Sequence, residues 1–318
     1  SLEMMERLAL WDALKSQAAA LQTMQILDGT KRLLRAPTVA FRSAEIDLPA
    51  FGYNIPNAAL IKSLSQAIES EALITRFPLA ADTIEIDGAE VRIGLVDGEN
   101  LVADFVIGAD GRRSKTRDSA GVGVKTWSYP QTALVLNFSH SLPHQNSSTE
   151  FHTESGPFTQ VPLPGQRSSL VWVVTPEVAE RLQSLDSTAL SGEVEARMQS
   201  MLGKVTVEDG VQAWPLSGMT AAFYGKGRAA FVGEAGHAFP PIGAQGLNLG
   251  LRDVMALRDA VGETSDPGTP AAVAAYDRAR QADVRLRTGA VDTLNRTLLT
   301  DLMPADLLRG AGLLALSR

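Results

Sequence analysis

The sequence predicts an α/β fold, with α+β character over the chain as a whole. The first observation is a short apolar strand at 229–232 that runs into a glycine-rich turn and then a helix beginning near Leu247. The second is the alternation of apolar and polar residues at 133–138 and 168–174, which is typical of strands. The third is a set of segments that read as helices, at about 58–69, 176–185, 187–202, 247–260 and 269–295.

The segment 228–253, RAAFVGEAGHAFPPIGAQGLNLGLRD, is the most informative part of the chain. The chain turns sharply at Gly233, and Glu234 places an acid directly after the strand, well positioned to accept a hydrogen bond from a ribose hydroxyl. Prolines then fix the backbone, while Gly243 and Gly246 let it approach a ligand closely. A helix that begins directly after such a loop offers free N–H groups to an electron-rich partner. The segment predicts a site for a large cofactor with a sugar, a phosphate and an electron-poor ring.

A second motif lies at 101–117. Residues 101–107, LVADFVI, form a nearly continuous apolar run, which predicts a strand buried on both faces. The sequence GADGRRSKTR follows at 108–117. An Asp-Gly turn after a strand occurs in many folds, so this motif indicates a cofactor site mainly because the segment 228–253 is also present.

Together the two motifs resemble those of the single-component aromatic hydroxylases, the para-hydroxybenzoate hydroxylase-like flavoproteins. Residues 108–117 are similar to the family's middle motif, G-A-D-G-x-x-S-x-x-R, and residues 233–248 to its second FAD motif, G-D-A-A-H followed by a proline and G-x-G-x-N. The phrase FGYNIPN at 51–57 resembles the ubiquinone-biosynthesis hydroxylases in particular. The resemblance implies a Rossmann-like FAD-binding domain with an inserted substrate domain of mixed or antiparallel sheet, followed by C-terminal helices.

The resemblance also implies which residues hold FAD. In the family, the Asp at Asp110 and the backbone near Gly111 meet the diphosphate region, the backbone at 246–248 contacts the pyrimidine end of the flavin ring, and Pro241 lies beside its reactive face. The Asp of the family's Gly-Asp pair is Glu234 here, which is one methylene longer, so the loop must shift or a water must intervene. The implied cofactor-binding residues are Asp110, Gly111, Gly233, Glu234, Pro241, Gly243, Gly246, Leu247 and Asn248.

The implied activity is that of an FAD-dependent monooxygenase. In the family NADPH or NADH reduces FAD, and the reduced flavin with dioxygen gives a C4a-hydroperoxide that hydroxylates a phenolic ring. The protein holds the ring, excludes water and tunes the charge on the flavin, and a helix N-terminus at the pyrimidine edge stabilises the negative charge of the reduced form. The sequence identifies no catalytic residue and no general base. His237 follows a strand end, so we expect it to brace the loop by hydrogen bonding.

The family's first motif, the G-x-G-x-x-G phosphate turn, does not open this chain. Residues 1–15 instead predict an amphipathic helix, with Leu2, Met5, Leu8 and Trp11 spaced three apart. In the family a similar helix follows the first β-α-β unit. We therefore expect roughly 40 to 60 residues of such a unit to precede the sequence given.

The predicted domains follow from the order of these segments. Residues 1–126 and 216–262 are predicted to form a discontinuous FAD-binding domain, with about 24–50 contributing to the substrate side. Residues 127–215 are predicted to be the inserted substrate domain. Residues 263–318 are predicted to be a C-terminal helical region, whose long helix carries Arg and Asp on its exposed face.

Composition limits the classes of partner. The chain has 318 residues, enough for one large or two medium domains, and its net charge of −7 argues against non-specific nucleic-acid binding. It has no cysteine, which excludes disulfides and thiolate metal sites. His140, His144 and His152 lie in or beside a polar stretch, so we expect solvated side chains there and no metal site.

Three phrases favour a polyprenyl phenol of ubiquinone biosynthesis as the substrate: FGYNIPN, GAQGLNLGLRD, and NRTLLTDLMP at 295–304. Such a substrate lies in a membrane, so two interpretations of the apolar tail at 302–316 stay open, contact with the bilayer surface and packing on the FAD-binding domain. A homodimer or a hydroxylase complex is also open. The alternative functions are hydroxylation of a small soluble aromatic compound, and a flavin-free accessory role on the same fold.

Overall fold

A computed structural model describes residues 1–29, 38–153, 155–240, 245–262 and 264–299. The helices are, in chain order, Leu2–Arg7 (α1), Trp11–Leu14 (α2), Asn57–Ser70 (α3), Lys115–Ser119 (α4), Pro176–Gln183 (α5), Ser187–Arg197 (α6), Gln245–Val261 (α7) and Pro270–Leu299 (α8). The strands are Ala19–Leu21 (β1), Thr23–Asp28 (β2), Val39–Arg42 (β3), Gly52–Asn54 (β4), Ala81–Asp87 (β5), Glu90–Leu95 (β6), Asn100–Ala103 (β7), Val106–Gly108 (β8), Val124–His140 (β9), Ser147–Thr153 (β10), Gly156–Leu163 (β11), Arg167–Val174 (β12), Val205–Val207 (β13), Gln212–Ala221 (β14), Gly225–Lys226 (β15), Ala229–Phe231 (β16) and His237–Ala238 (β17).

The chain divides into two compact units. Unit 1 includes Ser1–Ile74 and Pro130–Pro215, and unit 2 includes Thr75–Tyr129 and Leu216–Thr293. The boundaries differ from those of the predicted domains, which keep residues 1–126 together. Which unit binds which ligand stays a prediction.

Unit 1 is built on a sheet with the strand order β9-β12-β11-β10-β2-β3, and β13 pairs with the end of β9. Neighbouring strands are antiparallel except β10 and β2, which are parallel. Phe158 and Leu170 from the sheet share one hydrophobic core with Leu182 and Val194 from α5 and α6. Because side chains alternate between the two faces of a strand, alternate residues such as Leu170 and Trp172 of β12 lie in this core.

Unit 2 contains an antiparallel sheet, β5-β6-β7, and a mixed sheet, β15-β16-β8, and β14 pairs with β17. In the mixed sheet, β16 is antiparallel to β15 and parallel to β8. The three residues of β16 are fully buried. Tyr224, Leu257 and Tyr276 belong to the core beside it, and the Tyr276 hydroxyl donates to the Phe231 carbonyl at 2.8 Å. This bond attaches α8 to the carboxyl end of β16.

The apolar run 101–107 forms two short strands, so the prediction of one strand buried on both faces is wrong. β7 pairs with β6, whereas β8 pairs with β16 in a different sheet. At the break, the Asp104 carbonyl accepts a hydrogen bond from Arg228 Nη1 at 2.7 Å in place of a strand partner. Val102 and Ile107 are 64% and 51% exposed.

The single amphipathic helix predicted over 1–15 is also wrong, because α1 and α2 are separate. The chain reverses at Ala9, which has a left-handed φ of 55°. The Leu10 N–H donates to the Met5 carbonyl at 2.8 Å, which satisfies a carbonyl that the ended helix leaves unpaired. A local cap therefore outweighs the apolar periodicity.

The histidines are more ordered than solvated loop residues, which corrects that expectation. His140 is 5% exposed at the end of β9, with Nδ1 2.7 Å from the Leu142 carbonyl and Nε2 3.0 Å from Ser168 Oγ. Burial lowers the pKa of His140 because it disfavours the charged form. Within the described ranges, no group of three or more His, Asp or Glu side chains is arranged to hold a metal ion.

The longest helix is α8, with 30 residues. Along the ranges that the structure describes, no helix combines the length and the apolar character needed to cross a membrane. The apolar tail at 302–316 lies outside the described residues.

We expect Leu170→Ala to destabilise unit 1 by about 2–5 kcal/mol, because it leaves a cavity in a core position that is fully buried. Urea unfolding followed by far-UV circular dichroism measures the change in free energy. Leu142→Ala is the matched control, since Leu142 is 50% exposed and its loss should cost under about 0.5 kcal/mol. Equal effects of the two substitutions would contradict the core assignment.

Candidate functional site

The two sequence motifs meet because β8 and β16 are parallel neighbours. Gly108 lies opposite Phe231, and the Val232 N–H donates to the Gly108 carbonyl at 3.0 Å. Parallel strands end at the same edge of a sheet, so residues 109–114 (the Asp-Gly loop) and residues 233–236 (the glycine turn) leave the sheet side by side. In open α/β sheets, ligands bind at this carboxyl edge.

Asp110 braces the Asp-Gly loop from within. One of its carboxylate oxygens accepts from Ser114 Oγ at 2.5 Å, and the other accepts from the N–H and the hydroxyl of Thr116, both at 3.0 Å. Burial raises the pKa of Asp110, but these hydrogen bonds outweigh burial and hold the pKa below its ordinary value. Gly111 has a φ of +77°, and a Cβ on it would meet no heavy atom of the described ranges within 4 Å. The loop is fixed by its own side chains and open at Gly111.

Arg117 connects the Asp-Gly loop with the glycine turn. Its side chain is 4% exposed. Nη1 donates to the Ala235 carbonyl at 2.9 Å, and Nη2 donates to the Arg112 carbonyl at 3.1 Å. A buried guanidinium requires such partners. The positions of the loop and the turn are therefore coupled through one side chain.

Glu234 and Arg112 face each other across the two segments. The side chains are 59% and 43% exposed, and Glu234 Oε1 lies 3.5 Å from Arg112 Nε. Arg112 Nη1 also donates to Ser217 Oγ at 2.9 Å. An exposed pair at this distance is weak, so both charged groups are available to a ligand. Gly233, the residue before Glu234, has a φ of +59°, and a Cβ on it would also meet no heavy atom of the described residues within 4 Å.

The N-terminus of α7 supplies a third element. Gly246 and Leu247 lie in its first turn, where backbone N–H groups have no acceptor within the helix. Leu247 is 57% exposed, and a Cβ on Gly246 would meet no heavy atom within 4 Å in the part of the chain that the structure describes. Asn248, in the same turn, is exposed. Pro241 and Gly243 lie outside the described residues.

A buried cluster of charges lies behind the glycine turn. Asp253 is completely buried, and its Oδ2 accepts from the Gly233 N–H at 2.7 Å and lies 2.8 Å from His237 Nε2. Oδ1 lies 2.6 Å from Arg280 Nε, an ion pair that lacks hydrogen-bond alignment. Arg280 Nη1 donates to Asp283 at 2.8 Å. His237 is 2% exposed and braces the turn through Asp253.

This cluster was not predicted from the sequence. The Arg and Asp residues of the last helix were expected on an exposed face, and that expectation is wrong for Arg280, which is 3% exposed. The signal was available in α7, where Leu249, Asp253 and Leu257 are four residues apart and so share one face. A carboxylate in a buried apolar stripe requires a buried partner, which the sequence does not locate.

Unit 2 also contains a cavity of about 570 Å³, lined among others by Lys125, Thr220, Tyr224, Gln281 and Arg285. The predicted cofactor residues that the structure describes do not line it. The cavity is therefore separate from the edge formed by the two motifs.

The residues at that edge fit FAD. The open faces of Gly111, Gly233 and Gly246 allow close approach of a large ligand to the backbone. Arg112 and the first turn of α7 offer positive charge to a diphosphate or to an electron-rich ring edge, and Glu234 offers an acceptor to a sugar hydroxyl. Together these elements define a cofactor-binding α/β protein of the flavin-dependent class.

Comparison with known proteins agrees with this class. A family model described as "FAD binding domain" matches residues 1–287. The ubiquinone hydroxylase UbiL of Rhodospirillum rubrum is 33% identical over 322 residues, covering 99% of this chain and 73% of the relative. The 3-demethoxyubiquinol 3-hydroxylase of Escherichia coli is 31% identical, covering 100% of this chain and 81% of the relative. The chain belongs to the family of FAD-dependent aromatic hydroxylases and is close to its ubiquinone-biosynthesis members.

Solved structures show the same fold. PqsL, a probable FAD-dependent monooxygenase from Pseudomonas aeruginosa, matches with a TM-score of 0.78 at 21% identity, covering 98% of this chain and 86% of PqsL. HpxO of Klebsiella pneumoniae, complexed with FAD, matches with a TM-score of 0.76 at 17% identity, covering 98% and 82%. The predicted fold class, α/β with a Rossmann-like FAD-binding domain and a substrate domain, is confirmed. FAD as the cofactor is confirmed by the family.

We expect Asp110→Asn to make stability less dependent on acid pH. Because the pKa of Asp110 is lowered in the folded protein, its stabilising contribution is complete above the ordinary Asp value and is lost as pH falls through the lowered value. Asp110→Asn should therefore lower the thermal midpoint at pH 7, and the difference from wild type should shrink as pH falls through the ordinary Asp pKa towards the lowered one. Asp209→Asn, at an exposed position, controls for the change of side chain. A difference that is constant with pH would refute the assignment.

Proposed function

We propose that the protein hydroxylates the aromatic ring of a polyprenyl phenol in ubiquinone biosynthesis. The observation that carries the proposal is the parallel pairing of β8 and β16, which brings the two FAD motifs to one edge. The substrate is inferred from relatives that are 33% and 31% identical and are named as hydroxylases of ubiquinone or demethoxyubiquinol. NADPH or NADH is the proposed electron donor.

The residues at the edge have distinct proposed roles. Asp110 fixes the loop so that the backbone at Gly111 and the guanidinium of Arg112 meet the diphosphate. Glu234 accepts a hydrogen bond from the ribityl or ribose part, and the first turn of α7 (246–248) binds the pyrimidine edge of the ring. Bound FAD, once reduced by NADPH or NADH, would activate dioxygen so that one oxygen atom is transferred to the substrate ring and the other leaves as water. Pro241 and Gly243, which lie outside the described residues, stay predicted cofactor-binding residues.

The helix N-terminus has a chemical as well as a binding role in this proposal. Its partial positive charge falls off within the first turn, where Gly246 and Leu247 lie. A negative charge that develops at the pyrimidine edge on reduction is stabilised there without rearrangement of the protein. The backbone of α7 therefore tunes the cofactor, while the substrate is held by other residues.

The substrate side belongs to the proposal as well. We propose that residues 127–215 bind the phenol ring and that residues at about 24–50 contribute to this site. A membrane surface is the proposed source of the polyprenyl substrate. A homodimer or a hydroxylase complex is the proposed assembly. A small soluble phenol as the true substrate is the competing outcome of the experiment below.

The function is tested by incubation with FAD, desalting, and a visible absorption spectrum. A retained flavin spectrum is expected, followed by NADPH or NADH oxidation that a demethoxyubiquinol analogue in detergent micelles stimulates, with a product heavier by one oxygen atom. Turnover of a soluble phenol without detergent, and none of the analogue, would replace the substrate class. Lack of flavin binding would support the flavin-free accessory role instead.

We expect Glu234→Ala to raise the dissociation constant of FAD by about tenfold, because it removes one charge-assisted hydrogen bond. Glu234→Asp, which restores the side chain usual in the family, should bind FAD at least as tightly as wild type. Fluorescence quenching of FAD measures both constants. Glu193→Ala is the control, since Glu193 forms an exposed ion pair with Arg181 in unit 1. Unchanged affinity in Glu234→Ala would remove Glu234 from the site.

A further inference from the structure

The buried carboxylate of Asp253 does more than stabilise the fold. We infer that Asp253 is a positioning residue that sets the separation between Glu234 and the first turn of α7. It thereby sets the affinity and the reduction potential of bound FAD. This inference rests on the proposed FAD site. Asp253 itself is completely buried and lies in α7, beyond the first turn that it positions.

One side chain links the two cofactor-binding elements directly. Asp253 belongs to α7, about two turns after Gly246. Its Oδ2 accepts from the Gly233 N–H at 2.7 Å, and Gly233 is the residue before Glu234. A Cβ built on Gly250, one turn before Asp253, would lie 3.6 Å from the Gly233 Cα, so α7 and the glycine turn are also in close backbone contact.

The glycine turn has few other attachments. Gly233 has no side chain to pack, and the Glu234 side chain is 59% exposed. Among the described residues, the turn is held by the Gly233 N–H bond to Asp253, the Ala235 carbonyl bond to Arg117 and the Gly236 carbonyl, which accepts from the Ala221 N–H of β14 at 2.8 Å. The Val232 N–H, directly before the turn, donates to Gly108. The Gly108 and Arg117 bonds fix the turn to β8 and to the Asp-Gly loop. The bond to Asp253 is the one that fixes it to α7.

The remaining partners of Asp253 make its burial tolerable and fix its direction. Burial of a carboxylate is costly unless charges and donors compensate it. Arg280 lies 2.6 Å away and is itself paired with Asp283, while His237 contacts the oxygen that holds Gly233. An apolar contact between α7 and the turn would hold them together at lower cost. The charged cluster differs from such a contact because it directs one acceptor, Asp253 Oδ2, at one donor, the Gly233 N–H.

The double variant Asp253→Leu with Arg280→Met tests this role. It removes both buried charges at once, and apolar replacement of a buried pair is often close to neutral for stability. We expect a thermal midpoint within a few degrees of wild type, an FAD dissociation constant raised about tenfold, and a more negative flavin midpoint potential. The potential shifts because the positive end of α7 no longer meets the reduced ring at its optimal distance.

Arg228→Met with Asp266→Leu is the matched control. This ion pair, at 2.8 Å, lies in the same unit, and Arg228 directly precedes β16, at the end of the strand away from the cofactor edge. The control should lower the thermal midpoint and leave both the FAD affinity and the potential unchanged. A control that weakens FAD as much as the Asp253 variant would show that loss of stability explains the result, which overturns the inference.

Two further outcomes complete the test. A folded Asp253 and Arg280 double variant that binds FAD within about twofold of wild type at the wild-type potential also overturns the inference. If the double variant does not fold, Asp253→Glu decides, because it keeps the charge and shifts the acceptor by one methylene. It must weaken FAD binding for the inference to stand. If the wild-type protein does not bind FAD, the proposed function is refuted. This outcome is distinguished from failure of the inference because it is measured on the wild type alone, before any variant is compared.

Discussion

The parallel pairing of β8 and β16 is the constraint on which the site depends. Two segments that lie more than a hundred residues apart in the chain end at the same edge because Gly108 is registered with Phe231. Parallel pairing directs both loops to the same side, whereas antiparallel pairing would send them to opposite ends. The buried apolar side chains of β16 and the bond from Tyr276 to Phe231 hold this register from the helical side.

Buried polar side chains then hold the two adjacent loops in fixed positions at this edge of the sheet. Asp110 fixes the Asp-Gly loop, Arg117 joins that loop to the glycine turn, and Asp253 joins the turn to α7. Each of these groups is compensated by backbone or charged partners, which is the condition for burial of a charge. The exposed groups at the edge, Arg112 and Glu234, are in contrast weakly paired. The structure thus separates residues that position the backbone from residues that are free to bind.

The same separation explains how the departure at Glu234 is accommodated. The longer side chain reaches Arg112 at 3.5 Å, and the backbone around it is held by neighbours that do not involve the carboxylate. The additional methylene of Glu234 relative to Asp therefore changes the position of the carboxylate but not that of the backbone of the glycine turn. Family membership, which rests on matches over nearly the whole chain, is consistent with such a change.

The sequence by itself determined the class of fold, the family and the candidate residues, because strand-turn-helix segments with glycines at fixed positions are local patterns. It also located α3, α5, α6, α7 and α8 within a few residues, since apolar spacing is read along one helix. The break in 101–107 and the reversal at Ala9 depended on hydrogen bonds to Arg228 and Met5, which periodicity does not show. Only the tertiary structure decided that Arg280 is buried against Asp253 and that Asp253 reaches Gly233. These contacts join residues 20 or more positions apart, and a pairing over such a distance is set by the packing of helices on strands rather than by the local sequence.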